Sequence, residues 1–537
     1  MNKIYRLIWS KVKERMVIVS EIVKGKGGPS PVTVVAATGM ISLFMALTPT
    51  GIYALPIGQQ VVSGSATFDK QGNTLTIKNS PNAIINWQGF SINTNETTRF
   101  IQQSSSSAVL NRVVGQDPSS ILGALLSNGH VFLINPNGIF FGKGATIDVN
   151  GLIASTLNLS NHDFLAGKYN FNAGINAGQI KNEGTITTPQ GGRVYLVAPD
   201  IENSGIITSP KGEIMLAAGK SVNLVDSTNP DISVVVSAPE HTALNVGQIV
   251  AESGKVGIYA GLIRNKGIVS ANSAVIGENG KIIFKAVKDV TLEQDSVISA
   301  KGGTIKVLGS MEDGTVKVGG ILDASAPNIP SPLAGEGANG GFIETSAARV
   351  EINNPTVTAA SPYGKGGQWL IDPTDITIDA AYAGTIAGTL NAGTDVTVQT
   401  DAAGAQQGNI TVSSAISKTA GGNATLVLSA HNNININAGI SSTSGVLNLT
   451  LNANSDAAGG GTSNLSSATL DLNGGTLSLG AQLNLSNTAS IKNASVTSGT
   501  SGLWLNQGQT ATLNGVTLNA PMTQDWQSTL NISNGLT

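Results

Sequence analysis

The chain has 537 residues, with 65 Gly, 19 Pro, no Cys, 4% aromatic and 12% charged residues. Apolar content of 40% is too high for wholesale disorder, and glycine without an every-third-residue period excludes collagen. The missing cysteine excludes disulfide scaffolds, Cys-ligated zinc and thiol catalysis, while a net charge of −3 with no basic stripe leaves no footprint for nucleic acid.

Residues 1–31 carry seven basic side chains, Lys3, Arg6, Lys11, Lys13, Arg15, Lys24 and Lys26, against Glu14 and Glu21. The uncharged run VTVVAATGMISLFMALT comes next at 32–48, shorter than the roughly 20 residues a spanning helix needs. Pro49 and Gly51 end it, and Tyr53-Ala54 offers a small residue to signal peptidase. This order reads as a signal peptide over 1–54, cleaved between Ala54 and Leu55; the alternative is an uncleaved anchor. The opening MNKIYRLIWSKVKERMVIVSE resembles the extended signal peptide of very large exported bacterial proteins. Export through the Sec translocon then leaves 23 basic against 31 acidic residues, a net charge of −8.

The pattern Asn-x-Gly-x-[Ile/Val] recurs at Asn182, Asn203, Asn245 and Asn265. Its intervals of 21, 42 and 20 residues read as one, two and one repeat units. A second pattern, Gly-x-[Ile/Val]-x-apolar, begins at Gly192, Gly212, Gly254, Gly280 and Gly303. A fixed period of this size marks a solenoid whose single repeat cannot bury its own core. Each unit holds two or three short alternating runs, which put apolar residues on one face of a strand. Gly and Asn between them tolerate the left-handed backbone of sharp corners. Helical periodicity is nearly absent beyond the signal. The expected fold is all-β, a right-handed parallel β-helix solenoid with rungs about 4.8 Å apart.

From Gly404 onward Asn, Ser, Thr, Leu and Gly dominate, with Leu-x-Leu pairs at Leu470/Leu472, Leu477/Leu479 and Leu483/Leu485. The run HNNININ suggests stacked amide ladders inside or along the coil. ILDASAPNIPSPLAGEGANGG, residues 321–341, reads as an insertion or a boundary between two β-helix segments. No capping element is visible at ISNGLT, so either a longer product continues past it or the final rungs fray.

Chemistry is sparse. His130, His162, His241 and His431 are scattered without metal-like spacing, and no metal or other cofactor is expected. Gly219-Lys220-Ser221 approaches a P-loop, but Ile214 stands where the motif wants Gly, so a corner is the better reading. Enzymatic activity is not expected. Its surviving form is a polysaccharide-acting β-helix with carboxylates converging across rungs, for which Asp148, Glu183, Asp200 and Glu202 are available. Nine Asn-x-Ser/Thr sequons, seven of them past residue 400, read as composition; their alternative is a sugar-bearing surface.

Residues 83–148 hold INW-x-GF-x-I, RF-x-Q, AVLNRV-x-G-x-DPS, SNG-x-VFLINPNGI and FGKGA in that order. This resembles the N-terminal secretion domain of the filamentous hemagglutinin family, the exported partners of two-partner secretion systems. LPIGQQVVSGSATF at the mature start is similar to that domain's opening, and GKGGQWLIDPTDITID extends the likeness into an adhesin stalk. Of the family's two asparagine motifs, Asn135-Pro136-Asn137-Gly138 matches the second. The first, NPNL, is missing, and Ala108–Arg112 occupies its place, which points to the high-molecular-weight adhesin and hemolysin branch. Read from its residues alone, Asn-Pro-Asn-Gly is a turn between two apolar strands.

The resemblance implies an extended signal peptide over 1–54 and a secretion domain over 55–300. Further rungs occupy 301–363, and Asn/Ser/Thr/Gly-rich rungs 364–537. It also implies a route in which the unfolded chain meets the periplasmic modules of an outer-membrane barrel partner, threads through it and folds outside a Gram-negative cell. Adhesion or hemagglutination is the leading expected function, through host receptors or glycans, and cytolysis is the alternative. Asn135→Ala or Asn137→Ala is expected to spare folding and block release.

Overall fold

The structure is a computed structural model. It describes residues 55–537 apart from 175, 225–233, 238–239, 274, 276, 329–336, 402–406, 458–459 and 500, together with two strands before them. Those two, Tyr5–Ser10 and Arg15–Ser20, pair antiparallel in a unit of their own, Met1–Ile52. The apolar run 32–48 and Ala54 lie outside the described residues.

Residues from Tyr53 onward form one compact unit, a parallel β-helix. Its logic is plain in the rung from Ile201 to Ala218. Ile201–Asn203 supplies one side, Ile206–Thr208 the next and Glu213–Ala218 the third. Each side pairs in register and in parallel with its counterpart in the rungs before and after. Alternation works as expected: Ile207, Ile214 and Leu216 point into a continuous inner core. The Leu-x-Leu pairs of the C-terminal third join that core.

Corners are built by residues that avoid steric conflict. One corner places Gly192, Gly212, Gly254, Gly280, Gly303, Gly341 and Gly367 in the same position of successive rungs. A β-carbon on Gly212 would fall 2.2 Å from Gly192 O, and one on Gly367 would fall 1.9 Å from Gly341 O. At four of these rungs the residue before the glycine takes a positive φ, +78° at Gly191, +49° at Lys211, +55° at Ser253 and +65° at Gly302. A second corner is held from within. Asn182 Nδ2 donates to Asn203 Oδ1, Asn203 to Asn245 and Asn245 to Asn265, each at 2.8 Å, with all four side chains buried.

This ladder corrects the repeat count. Asn203 stacks directly on Asn245, so the 42-residue interval is one rung and not two. The surplus leaves the coil as Ser221–Leu224 and Val234–Ser237, which join Asn158–Leu159 and Tyr169–Asn172 in an antiparallel sheet. Gly219-Lys220-Ser221 is the corner where this excursion departs.

The excursion covers an outward apolar stripe. Register places Ile84, Leu110, Phe132, Ile153, Tyr195, Met215, Gly257 and Ile283 in one row. Phe164, Phe171 and Val222 pack over it as a second core. The Phe132 and Phe164 rings meet edge to face at 5.1 Å. Gly257 would leave a gap in the stripe, and the Tyr259 ring lies over it, 2.4 Å from where a β-carbon would stand. Strands such as Arg193–Ala198 are therefore buried on both faces, which explains their nearly unbroken apolar sequence. The row turns polar at Lys306 and Glu344.

Antiparallel hairpins close the first rung. Gln60–Ser63 pairs with Ala83–Trp87 and Ala66–Gln71 with Thr74–Asn79. Of the Pro/Gly-rich stretch, 329–336 lie outside the described residues, but Ile321–Asp323 is an ordinary rung strand. Phe342–Ser346 stacks directly on Thr304–Leu308, so the stretch is an insertion into a continuous coil. Two helices were not foreseen, Asn161–Leu165 and the longer Ala380–Asn391. Asp379 caps the longer one by accepting from Ala381 N and Tyr382 N, and it buries Tyr382, Ala383, Ile386 and Leu390 in the inner core. It stands in the column between Thr356–Thr358 and Ile416–Lys418, where neighbouring rungs have a strand.

Candidate secretion-motif site

Asn135–Gly138 joins the Ala124–Ile134 strand to Ile139–Phe141. Pro136 needs no N–H at the second position of the turn, and Gly138 N closes it on Asn135 O at 3.2 Å. Gly138 has φ +124°, a backbone that favours glycine. Asn135 is fully buried, and its whole amide is engaged. Its Oδ1 accepts from Asn137 N and Asn137 Nδ2, and its Nδ2 donates to Asp117 O and Ser119 Oγ, all at 3.0 Å. Asn137 is exposed, but its Nδ2 also donates to Gly115 O at 3.0 Å in the rung below. Above the turn, Gly178 N donates to Pro136 O at 2.7 Å, and a β-carbon there would fall 2.6 Å from Asn137 O.

The turn is therefore a clamp across three successive levels of the coil. Asn135→Ala would leave Ser119, Asp117 and Asn137 N without their partner. These buried bonds argue against the expectation that this change spares folding, whereas the Asn137 side chain is exposed.

The stretch that replaces the missing first motif is a second clamp, not anticipated from the sequence. Asn111 is fully buried, accepts from Trp87 Nε1 at 3.0 Å and donates to Phe132 O at 3.2 Å. Arg112 reaches outward, donating to Asn161 Oδ1 at 2.7 Å and Leu159 O at 2.6 Å, and burial pushes its pKa down. A polar Asn-Arg pair inside an apolar strand was the available signal. Of the expected cleavage pair, Leu55 is buried in the inner core and Ala54 is outside the described residues.

The four candidate carboxylates do not form a paired site. Glu183 and Glu202 both face Lys181 Nζ, at 2.8 and 3.3 Å. Asp200 accepts from Thr242 N at 2.8 Å and lies 3.7 Å from His241 Nδ1. Asp148 is exposed on another strand. The histidines stay apart as well. His130 is half-buried beside Asn150, its pKa lowered by burial and by the Arg193 charge. His162 neighbours Asp163, and His431 neighbours Asp456.

Fold and site together define a parallel β-helix solenoid whose conspicuous side chains hold the coil together. Comparison with known proteins agrees. The TPS secretion domain family matches residues 52–307, and the Extended Signal Peptide of Type V secretion system matches residues 1–50. A heme/hemopexin-binding protein of Haemophilus influenzae strain Rd is 29% identical over 252 residues, 45% of this chain and 26% of that protein. A second Haemophilus influenzae protein of that description is 35% identical over 152 residues, 27% of this chain and 16% of its own length. The chain thus matches about a quarter or less of these curated relatives. The crystal structure of the HMW1 secretion domain from Haemophilus influenzae is also similar, with 26% identity and a TM-score of 0.43, over 90% of this chain and 100% of that one.

The chain is a two-partner secretion exoprotein, secreted from a Gram-negative bacterium by way of the outer membrane. That class implies an outer-membrane transporter partner and, through the signal peptide, Sec. The outward apolar stripe gives way to Lys306 at almost the point where the secretion-domain match ends.

Proposed function

We propose that the exported coil is an adhesin, carried out by its secretion domain and presented to host receptors or glycans. The observation that carries this reading is the continuity of the β-helix from the secretion domain to the last described rung, without a change of fold. Beyond the secretion domain the chain continues as coil with long outward faces. Three of the four candidate carboxylates, Glu183, Asp200 and Glu202, are drawn into ion pairs or a backbone contact, which supports a binding rather than an enzymatic role.

Within this route, Asn137 serves secretion and Asn135 serves folding. Beads coated with the secreted chain should attach to epithelial cells and leave red cells intact. Lysis of red cells by the purified protein would replace adhesion with cytolysis. Failure of the beads to attach to any cell type tested would sink the adhesin reading. The names of the curated relatives favour a second reading, capture of heme or hemopexin. A saturable heme absorbance change on titration would support it.

A further inference from the structure

The sheet column whose outer face is apolar and covered up to Ile283 continues to the C-terminal rungs with a different surface. Its outward row runs through Thr397, Val427, Thr450, Ser478 and Thr497, all half-exposed. A parallel row two residues earlier in each strand runs through Asn448 and Thr476. Among the described residues, this face carries one charged side chain, Asp395 at its first rung, and none from Thr397 to Asn519. The neighbouring column does, at Asp471 and Lys492.

The face opens at its first rungs into a cleft of about 600 Å³. Glycine backbone lines one part of it, at Gly303, Gly341 and Gly367, and Gln368, Asp395 and Thr425 line another. Gln368 Nε2 donates to Thr397 Oγ1 at 2.7 Å, which joins the cleft to the face. Phe342 adds an apolar wall. The side-chain positions of these glycines face the carbonyl of the rung before, so they serve stacking, and backbone bounds the cleft on this side.

We propose that the cleft and the hydroxyl face form one binding surface for an uncharged polysaccharide chain. Hydroxyls and amides repeat at every rung, about 4.8 Å apart, so the surface offers donors and acceptors along a line rather than at a point. A polyhydroxylated polymer matches that line. An anionic polymer would find no cation on it, and an apolar partner would leave the hydroxyls without hydrogen bonds. The proposal rests on the adhesin reading and names the class of ligand that reading leaves open.

The test uses the full secreted chain, with xylohexaose and cellohexaose as neutral probes and hexagalacturonate as the anionic one, followed by calorimetry. A neutral hexasaccharide should saturate the protein with a Kd of about 1 mM or tighter. Thr450→Lys and Thr476→Lys should each weaken it at least about tenfold, and Ser441→Lys, on another face, should not. Thr450→Val, which keeps the shape and removes the hydroxyl, covers the case in which a lysine variant fails to fold. Full affinity in face variants that melt like the wild type would overturn the proposal, as would binding of hexagalacturonate alone. Cell attachment without saturation by either neutral probe at about 10 mM would overturn it while sparing the adhesin reading. Saturation without attachment would do the reverse.

Discussion

Replacing Asn203 by Ala tests the buried ladder at its centre. The change removes the acceptor of Asn182 Nδ2 and the donor to Asn245 Oδ1, both 2.8 Å bonds. Asn182 and Asn245 are 0% and 1% exposed, so water cannot replace the lost partner. A buried polar group left unpaired costs about 1–3 kcal/mol, and two of them cost about 2–6 kcal/mol. Because each rung contacts chiefly its neighbours, the loss should be local and native-state hydrogen exchange is the suitable assay. Amides of Ile201–Asn203 and Thr242–Asn245 should exchange about 30-fold faster or more, the lower end of that cost. Asn464→Ala provides the contrast. Its ladder, with Asn435 and Asn484, lies on the outer face where water substitutes, and should cost below about 1 kcal/mol. Exchange within about threefold of wild type in Asn203→Ala would refute the reasoning.

Asn135→Ala should lower stability by about 2–4 kcal/mol, through several lost buried bonds. Asn137→Ala should melt near wild type yet reduce protein in the medium when expressed with its transporter; normal release would remove Asn137 from the secretion route. Lys418 is fully buried and its ammonium donates to Ala420 O, Gly421 O and Ser444 O, so Lys418→Met should destabilise these loops by about 2–4 kcal/mol, measured by local exchange. Asp372 has a buried, unbonded Oδ1, and burial first, then Asp401 and Glu344, push its pKa up to about 7. The folded state thus binds this proton more tightly than the unfolded chain, so stability is fully present below about pH 4 and falls as pH rises towards 7. Asp372→Asn should raise the melting temperature at pH 8 and flatten its pH profile; an unchanged profile would contradict this.

Period and alternation made the coil legible, because strands and glycine corners write both into the residues. Asn182, Asn203, Asn245 and Asn265 were legible as a pattern, and their depth explains why they recur. The 42-residue interval misled because sequence distance counts residues, whereas the coil counts paired strands. The strand Val234–Ser237, VVVS, has the apolar, β-branched character of a rung strand, and nothing local says that it pairs outside. Ala380–Asn391 escaped for a different reason. Its Ala, Gly and Thr give little helical amphipathicity, and burial inside the column overrides weak propensity. At the secretion motif the turn was readable, but the contrast between a buried Asn135 and an exposed Asn137 is one of depth, which four letters cannot convey.

Unequal rungs also set how the coil would come apart under tension. The levels from Asn182 to Asn203 and from Asn203 to Asn245 each add one strand spacing of height, yet contain 21 and 42 residues. Drawn out, they would release about 7 nm and about 14 nm of extended chain. Levels of similar surplus run from Gly151 to Arg193 and from Thr304 to Phe342, so pulling the chain should give a staircase of small steps broken by treads of roughly double length at all three. In the opposite direction, a chain emerging from a pore must deliver twice the length there to complete a single level.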